Sequence, residues 1–259
     1  MTRALVTGAA RRLGREMALY LAGRGHDVVI HFAGSGDEAE KTAAEARAMG
    51  VCAVPLQADL LEESQTEGLI VRAADALGGP LTTLINNAST FDYDNIRSAT
   101  RKSWDRNLGS NLRAPFVLIQ HFAAQVPPAL RGPEGALAQG LVVNMLDQRV
   151  RKLTPEFMSY TIAKMGLWAL TQTAARALAP DVRVNAIGPG STLKGAHQSQ
   201  DQFDRQRAAA ILERGANAQD ITAALGYFLD APAVTGQLLC VDGGQHLGWK
   251  TPDILGRGD

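Results

Sequence analysis

The chain carries, close to its start, the segment Ala4-Leu5-Val6-Thr7-Gly8-Ala9-Ala10-Arg11-Arg12-Leu13-Gly14-Arg15-Glu16-Met17-Ala18-Leu19. Its apolar start predicts a short buried strand, the small residues around Gly8 predict a tight turn, and the residues after Gly14 predict a helix. Such a turn presents free backbone N–H groups at the positive end of a helix dipole, where a pyrophosphate binds. An ordinary strand-to-helix connection is the alternative, because the turn has fewer glycines than a complete Gly-x-Gly-x-x-Gly motif.

Short apolar stretches alternate with helical stretches along the rest of the chain, which is typical of βαβ units and a parallel sheet. Strands are predicted at residues 4–7, 27–31, 52–57, 81–86, 140–145, 183–187 and 237–241. Helices are predicted at residues 15–23, 37–49, 63–77, 102–125, 159–178, 202–214 and 218–229. The stretch 127–135, rich in proline and glycine, is predicted to be an exposed loop rather than a domain boundary. The pattern favours an α/β fold: one doubly wound parallel sheet of about seven strands with helices on both faces, forming a single domain over residues 1–259.

Composition limits the possible functions. The 259 residues include 26 Lys plus Arg and 26 Asp plus Glu, and 46% are hydrophobic, so one large core is possible. The balanced charge indicates neither a nucleic-acid partner nor an anionic membrane surface. No apolar run approaches the roughly 20 residues of a membrane helix, and the first residues predict a strand instead of a signal peptide. We therefore expect a cytoplasmic protein that binds no nucleic acid and no membrane.

The two cysteines, Cys52 and Cys240, are far apart in the chain, each in apolar, strand-like surroundings. Two buried thiols are expected in preference to a disulfide, in agreement with a reducing compartment. No cluster of His, Cys and Asp has metal-ligand spacing, so no metal site is predicted, and His197 receives no role.

Tyr160 and Lys164 form a Tyr-x-x-x-Lys pair, whose spacing places both side chains on one face of a helix. A positive neighbour favours the phenolate, so we expect the pKa of Tyr160 to fall toward neutral pH, as a proton donor and acceptor requires. The pair alone is a weak signal. Asp147 lies thirteen residues before Tyr160 (160 − 147), at the end of Asn144-Met145-Leu146-Asp147.

Two further segments complete a pattern: Leu84-Ile85-Asn86-Asn87-Ala88-Ser89 and Val184-Asn185-Ala186-Ile187-Gly188-Pro189-Gly190. With the glycine turn and the Tyr160/Lys164 pair, and in this order, they resemble the short-chain dehydrogenase/reductase family over residues 5 to 244. Thr-Gly-Ala-Ala-Arg-Arg-Leu-Gly at 7–14, Asn-Asn-Ala-Ser-Thr-Phe at 86–91 and Asn-Met-Leu-Asp at 144–147 resemble its pteridine reductase and dihydromonapterin reductase subgroup. The resemblance implies a Rossmann-type fold.

The choice of cofactor can be argued from charge. Enzymes that use NAD place an acidic residue after the second strand, where it binds the ribose hydroxyls and repels a 2′-phosphate. Residues 28–35 contain no acid, and Asp37 and Glu38 suit the first turn of a helix. We therefore predict NADPH/NADP, with Arg12, His31 and Ser35 around the 2′-phosphate. The family pattern implies these further cofactor contacts: Gly8, Leu13, Gly14, Phe32, Asp59, Leu60, Asn87, Ala88, Ser89, Tyr160, Lys164, Pro189, Gly190 and Ser191. For Asp59, a helix N-cap is an equal alternative.

Asp147 bears on the substrate. In family members that act on ketones or alcohols, a serine at this place donates a hydrogen bond to the reacting oxygen, whereas an ionised carboxylate donates nothing. At ~4 Å and an effective dielectric near 20, its repulsion of a developing oxyanion is about 4 kcal/mol, close to a thousandfold in rate. The N–H groups of a nitrogen heterocycle can instead donate to the carboxylate, which could also give a proton if burial raised its pKa.

The resemblance implies NADPH-dependent reduction of a dihydropterin to a tetrahydropterin, with Tyr160 as the proton donor. Lys164 would hold the nicotinamide ribose, and Asn111 would support a proton relay through water. The implied catalytic residues are Asp147, Tyr160, Lys164 and Asn111, and the implied substrate contacts are Arg12, Ser89, Phe91, Asp147 and Tyr160. For Phe91, core packing is the alternative to stacking on the pterin.

Two other functions stay open: a carbonyl reductase or alcohol dehydrogenase of the same family, and a non-catalytic NADP-binding sensor or scaffold. Biopterin, monapterin and folate are all open as substrates.

The polar segment 191–217 is predicted to be a lid over the substrate, with a solvated connector as the alternative. The predicted helix 159–178 carries Met165, Leu167, Trp168 and Leu170 around the catalytic pair, which favours pairing of subunits across this helix and, by the resemblance, a homotetramer. The tail 245–259 is a candidate to reach a neighbouring subunit's active site, and Trp249 is either a substrate contact or an exposed tail residue.

Overall fold

The computed structural model describes residues 2–195, 198–249 and 251. Its strands are β1 (Arg3–Val6), β2 (Asp27–Phe32), β3 (Ala53–Gln57), β4 (Thr83–Asn86), β5 (Leu130–Gly132), β6 (Gly135–Leu137), β7 (Gly140–Met145), β8 (Val182–Pro189) and β9 (Leu238–Val241). Its α-helices are α1 (Arg12–Gly23), α2 (Gly36–Ala48), α3 (Glu63–Ala76), α4 (Arg101–Leu108), α5 (Ala114–Gln125), α6 (Met158–Ala177), α7 (Gln200–Ala208) and α8 (Ala218–Asp230). A π-helical turn, Gly109–Arg113, joins α4 to α5.

Seven strands form one parallel sheet in the order β3-β2-β1-β4-β7-β8-β9. The predicted Rossmann-type α/β fold is confirmed. The order reverses direction between β1 and β4, and in such sheets ligands bind outside the carboxyl ends of the strands at this point.

Helices cover both faces of the sheet, which explains why the strands are almost continuously apolar. Successive strand residues point to opposite faces. Val6 therefore packs with α1, α2 and α8 through side chains such as Met17 and Phe228. Leu5 packs with α3, α5 and α6 on the other face, where Phe122 is fully buried.

The helix predicted at 102–125 is a continuous helical stretch in the structure, with a π-helical turn in which Asn111 lies. Three other local expectations were wrong. The helix predicted at 202–214 ends at Ala208. The predicted loop at 127–135 includes β5 and the turn of an exposed antiparallel hairpin, whose second strand is β6. Cys52 is exposed just before β3 instead of buried within a strand, although neither cysteine forms a disulfide.

Among the described residues, no helix combines the length and the apolar character needed to cross a membrane. Within the same residues, no group of three or more His, Cys, Asp or Glu side chains could hold a metal ion.

Candidate active site

A cleft of about 940 Å³ lies at the carboxyl ends of the central strands. Every predicted cofactor contact borders it except Ser191, whose hydroxyl donates to Gln206 instead. Phe91, Asp147, Tyr160 and Lys164 border the same cleft. The structure therefore brings together residues that the chain separates by up to 182 positions (190 − 8), as the switch point of the sheet predicts.

The glycine turn after β1 leaves its backbone open to a ligand, because Gly8 and Gly14 carry no side chains. Gly8 has a left-handed backbone (φ 63°), and a Cβ at Gly14 would lie 2.2 Å from the carbonyl oxygen of Gly8. Asn87 fixes the turn from β4 by donating to the carbonyl oxygens of Thr7 (2.9 Å) and Gly8 (3.2 Å). No side chain caps the N-terminus of α1. Its first N–H groups are therefore available to a phosphate, and the turn fits a dinucleotide.

His31 supports this turn from β2. Its Nδ1 accepts a hydrogen bond from the Gly8 N–H (3.0 Å), so its Nε2 carries the proton and donates to the carbonyl oxygen of Ala58 (3.0 Å). Burial lowers the pKa of His31 to about 4, so the ring is neutral at physiological pH. Both ring nitrogens are occupied by the protein. The structure thus gives the His31 side chain a supporting role in place of the expected contact with the 2′-phosphate.

Two neighbouring arginines point in different directions. Arg12, in a left-handed conformation (φ 56°), donates to the carbonyl oxygens of Leu193 (3.2 Å) and Lys194 (3.0 Å), in the predicted lid. Arg11 borders the cleft and lies 3.8 Å from Glu38 on α2. Arg11 was missed from the sequence, and its contact with a 2′-phosphate is a prediction. Ser35 borders the same part of the cleft and makes no capping hydrogen bond to α2.

Asp59 borders the cleft directly after β3. Its carboxylate accepts a hydrogen bond from the N–H of Leu61 (3.0 Å), which closes a local turn. The N-cap of α3 is Glu62. The capping alternative for Asp59 is therefore excluded, and contact with the adenine side of the cofactor stays a prediction.

The catalytic pair lies on α6, and Asp147 lies on the loop after β7. The Tyr160 hydroxyl donates to the Asp147 carboxylate (3.1 Å), whose other oxygen accepts the N–H of Arg149 (2.8 Å). Burial and the negative charge of Asp147 raise the pKa of Tyr160 well above its usual value. The expected lowering by Lys164 was wrong in direction, because Asp147 and not Lys164 contacts the hydroxyl.

Lys164 is buried beside the ring of Tyr160. Its Nζ donates to the carbonyl oxygen of Met145 (2.7 Å) and lies 5.5 Å from the centroid of the Tyr160 ring. Burial lowers the pKa of Lys164 to about 8. The hydrogen bond to Met145, the last residue of β7, holds the Lys164 side chain at the border of the cleft.

Asn111 is buried and its side chain is fully engaged with the loop after β4. Its amide donates to the carbonyl oxygens of Thr90 (2.9 Å) and Asn107 (3.0 Å) and accepts from the Ser89 hydroxyl (2.6 Å). These contacts fix the loop that presents Ser89 and Phe91. The predicted part of Asn111 in a water relay to Lys164 stays a prediction.

Phe91 is 53% exposed, so the core-packing alternative is excluded. Its ring stacks on Phe157 (centroids 4.1 Å apart, planes at 8°) and meets the edge of Tyr160 (4.7 Å, 83°). Phe157 was missed from the sequence. Its only local signal is an aromatic residue three positions before the catalytic tyrosine.

The tail is described as far as Trp249 and at residue 251. Trp249 is 62% exposed, so its substrate contact stays a prediction. His197 and residues 252–259 lie outside the described residues.

A family model described as enoyl-(acyl carrier protein) reductase matches residues 8–246. The 3-oxoacyl-[acyl-carrier-protein] reductase FabG of Staphylococcus epidermidis is 31% identical over 249 residues, covering 94% of this chain and 98% of that protein. The chain belongs to the short-chain dehydrogenase/reductase family.

Solved structures of this family resemble the chain closely. FolM alternative dihydrofolate reductase 1 of Brucella suis, in complex with NADP, is 40% identical with a TM-score of 0.90 over 97% of this chain and 98% of that one. The promiscuous reductase LugOII, which catalyses a keto-reduction in lugdunomycin biosynthesis, is 28% identical with a TM-score of 0.85 over 95% and 98%. The protein is an NADP-dependent short-chain oxidoreductase, and the predicted cofactor is confirmed. The FolM structures also support the resemblance to the pteridine reductase subgroup.

Proposed function

We propose that this oxidoreductase reduces a dihydropterin to a tetrahydropterin with NADPH. One observation carries the proposal: the Asp147 carboxylate accepts a hydrogen bond from the Tyr160 hydroxyl at the cleft, in the position where the family resemblance implies a serine in ketone-reducing members. Such a carboxylate cannot donate to a carbonyl oxygen, and it repels the oxyanion that forms there. It can accept hydrogen bonds from the ring and exocyclic N–H groups of a pterin.

Tyr160 is suited to giving a proton in the direction of reduction. Its raised pKa means that the hydroxyl keeps its proton at neutral pH, so the resting site holds a proton rather than a phenolate. NADPH supplies the hydride when it is bound. Tyr160 gives its proton to the ring nitrogen, directly or through water, while Asp147 orients the hydroxyl and binds the substrate N–H groups. The ammonium of Lys164 lies beside Tyr160, where it offsets the negative charge of Asp147 and can hold the ribose.

A flat ring has a suitable surface in this cleft. One face of Phe91 is covered by Phe157, while more than half of the side chain stays exposed at the cleft. A bicyclic heteroaromatic ring can stack there. Ser89 is positioned by Asn111 on the same loop, within reach of substrate or cofactor.

Arg12 joins the cleft to the segment 191–217, which we propose as the substrate lid. Two carbonyl oxygens of this segment accept from Arg12, and the Arg207 guanidinium of α7 donates to the carbonyl oxygens of Ser191 (3.0 Å) and Ala216 (2.6 Å). Arg12 therefore connects the segment to the cleft, and Arg207 connects α7 to residues near the two ends of the segment. These ties favour a lid over a solvated connector.

We also propose that subunits pair across α6 in a homotetramer. Ile162 (43%) and Met165 (38%) are exposed apolar residues on this helix, whereas Leu167 is buried in the core. Exposed apolar side chains on one helix favour an interface.

Carbonyl reduction is the second candidate. The 31% identity to a 3-oxoacyl reductase and the similarity to a ketoreductase support it. The name of the FolM relatives, alternative dihydrofolate reductase, supports the pterin proposal at a higher identity of 40%. A sensor or scaffold without turnover is disfavoured, because Tyr160, Asp147 and Lys164 lie together with the geometry of a proton-transfer site.

The test is NADPH consumption by the purified protein with dihydrobiopterin, dihydromonapterin and dihydrofolate, beside an acetoacetyl thioester and a simple ketone. Turnover confined to the pterins and folate is expected. Turnover confined to the carbonyl compounds would transfer the function to the second candidate. No turnover with any of them, despite NADPH binding, would favour the sensor.

A further inference from the structure

A stack of side chains lies behind the catalytic residues. The ring of Phe157 stacks on the ring of Phe91, with centroids 4.1 Å apart, and contacts two other side chains. The guanidinium of Arg149 lies over the Phe157 ring at 5.2 Å from its centroid, and Tyr93 meets the ring edge-on at 5.0 Å and 88°. Cation–π and edge-to-face contacts of this geometry are attractive. Phe157 is therefore held by three neighbours at once.

The backbone of Phe157 is held as firmly as its ring. Its φ of 53° and ψ of 49° are left-handed, a conformation rare for residues other than glycine. Its carbonyl oxygen accepts from Thr161 (2.8 Å) in the first turn of α6. Arg149 donates to the Thr154 hydroxyl and to the carbonyl oxygen of Glu156 (3.4 Å), which fixes the loop before Phe157. A strained conformation held by several contacts is common at functional sites.

The stack is continuous with the catalytic residues. Phe91 meets Tyr160 edge-on, Tyr160 donates to Asp147, and Asp147 accepts from the backbone of Arg149. The contacts thus form a closed ring through Phe157. Phe91 borders the cleft, whereas Phe157 is not among the residues that line it. Phe157 is consequently placed to orient Phe91.

We propose that Phe157, clamped by Arg149, is a positioning residue that fixes Phe91 as a stacking platform and so makes the site selective for flat heteroaromatic substrates. The inference rests on the proposed pterin function. Phe91 is half-exposed, so without Phe157 its ring can rotate away from the orientation that accepts a bicyclic ring. An aliphatic carbonyl substrate needs no such platform.

The experiment is a double-mutant cycle with steady-state kinetics on a dihydropterin without a long tail and on dihydrofolate. Phe157→Leu should raise KM for both substrates by about 2- to 12-fold, the range expected for loss of an aromatic pair, with kcat within about twofold. Phe157→Tyr keeps the ring and should restore the wild-type KM. In a Phe91→Ala background, Phe157→Leu should have no further effect, because Phe157 acts through Phe91. Tyr227→Leu, at an exposed aromatic residue on α8, is the matched control and should leave KM unchanged.

The outcomes separate this inference from the proposed function. A wild-type enzyme that reduces pterins, with an unchanged KM in Phe157→Leu, would overturn the inference alone. An effect that persists in the Phe91→Ala background, or one confined to dihydrofolate, would mean direct contact with the substrate and would also overturn it. A wild-type enzyme that reduces no pterin would overturn the proposed function, and the inference with it.

Discussion

Replacing Asp147 by serine is the most informative single change. Asp147 accepts from the Tyr160 hydroxyl and, as the cap of the short helical turn Gln148–Arg151, from the N–H of Arg149. Serine is also a good cap, so the turn should form in the variant. The substitution therefore removes the charge and the contact with Tyr160 while it leaves the local fold in place.

The expected effects have opposite signs for the two candidate substrate classes. Hydrogen bonds to charged groups contribute about 1.5–3 kcal/mol, so the loss of Asp147 should lower kcat/KM for a pterin by about 10- to 150-fold. For a carbonyl substrate, the change removes a repulsion of about 4 kcal/mol at ~4 Å and an effective dielectric near 20, so turnover should rise by up to about a thousandfold. The pKa of Tyr160 should fall, because both the negative charge of Asp147 and its hydrogen bond with the hydroxyl raise that pKa in the wild type.

The assay compares wild type, Asp147→Ser and Asp147→Asn by NADPH oxidation with dihydrobiopterin and with an acetoacetyl thioester. Asparagine has the size of aspartate and its carbonyl oxygen can accept a hydrogen bond from the Tyr160 hydroxyl, so this variant separates the charge from the hydrogen bond. The Kd for NADPH, measured by fluorescence, should be the same in all three proteins. Unchanged pterin kcat/KM in Asp147→Ser, with NADPH still bound, would refute the reasoning that assigns Asp147 to a pterin.

Three further predictions follow from the cofactor side of the cleft. Arg11→Ala should lower kcat/KM for NADPH by about 10- to 100-fold and leave NADH unaffected, because a charged hydrogen bond to the 2′-phosphate is lost; equal losses with both cofactors would contradict this role. His31 has a pKa of about 4 when folded and about 6.5 when unfolded, so its contribution to stability is complete above the unfolded pKa and is lost as pH falls through the folded pKa. From pH 7 to pH 5 the free energy of unfolding should fall by about 2 kcal/mol through this residue. In urea titrations, His31→Gln should reduce the pH dependence of the free energy of unfolding by that amount. An unchanged pH dependence would argue against a buried neutral ring. Because burial lowers the pKa of Lys164 to about 8, kcat/KM for NADPH should fall as pH rises through that value, and a profile flat to about pH 10 would show that the charge of Lys164 is not needed.

Much of the fold could be predicted because its signals are local. Both faces of the parallel sheet are buried, so each strand leaves a short apolar run in the sequence, and all seven sheet strands were predicted to within a few residues. The π-helical turn between α4 and α5 left no such signal, and within it the Asn111 side chain forms hydrogen bonds to the loop after β4. The hairpin of β5 and β6 is short and exposed, so it lacks the apolar pattern that marks a strand.

The sequence by itself determined the family and the cofactor, and it indicated the candidate catalytic residues, because the glycine turn and the Tyr160/Lys164 pair depend on spacing within one turn or one helix. Only the tertiary structure decided how those residues behave. Arg11 and Arg12 are adjacent, yet Arg12, with its left-handed backbone, donates to the carbonyl oxygens of Leu193 and Lys194, whereas Arg11 lies beside Glu38. The pKa of Tyr160 is raised rather than lowered, since Asp147 reaches its hydroxyl and Lys164 does not. Phe157 backs Phe91 across 66 positions (157 − 91). The direction of a side chain, the pKa of Tyr160 and the contact between Phe91 and Phe157 depend on neighbours that are distant in the chain. No local sequence pattern encodes them.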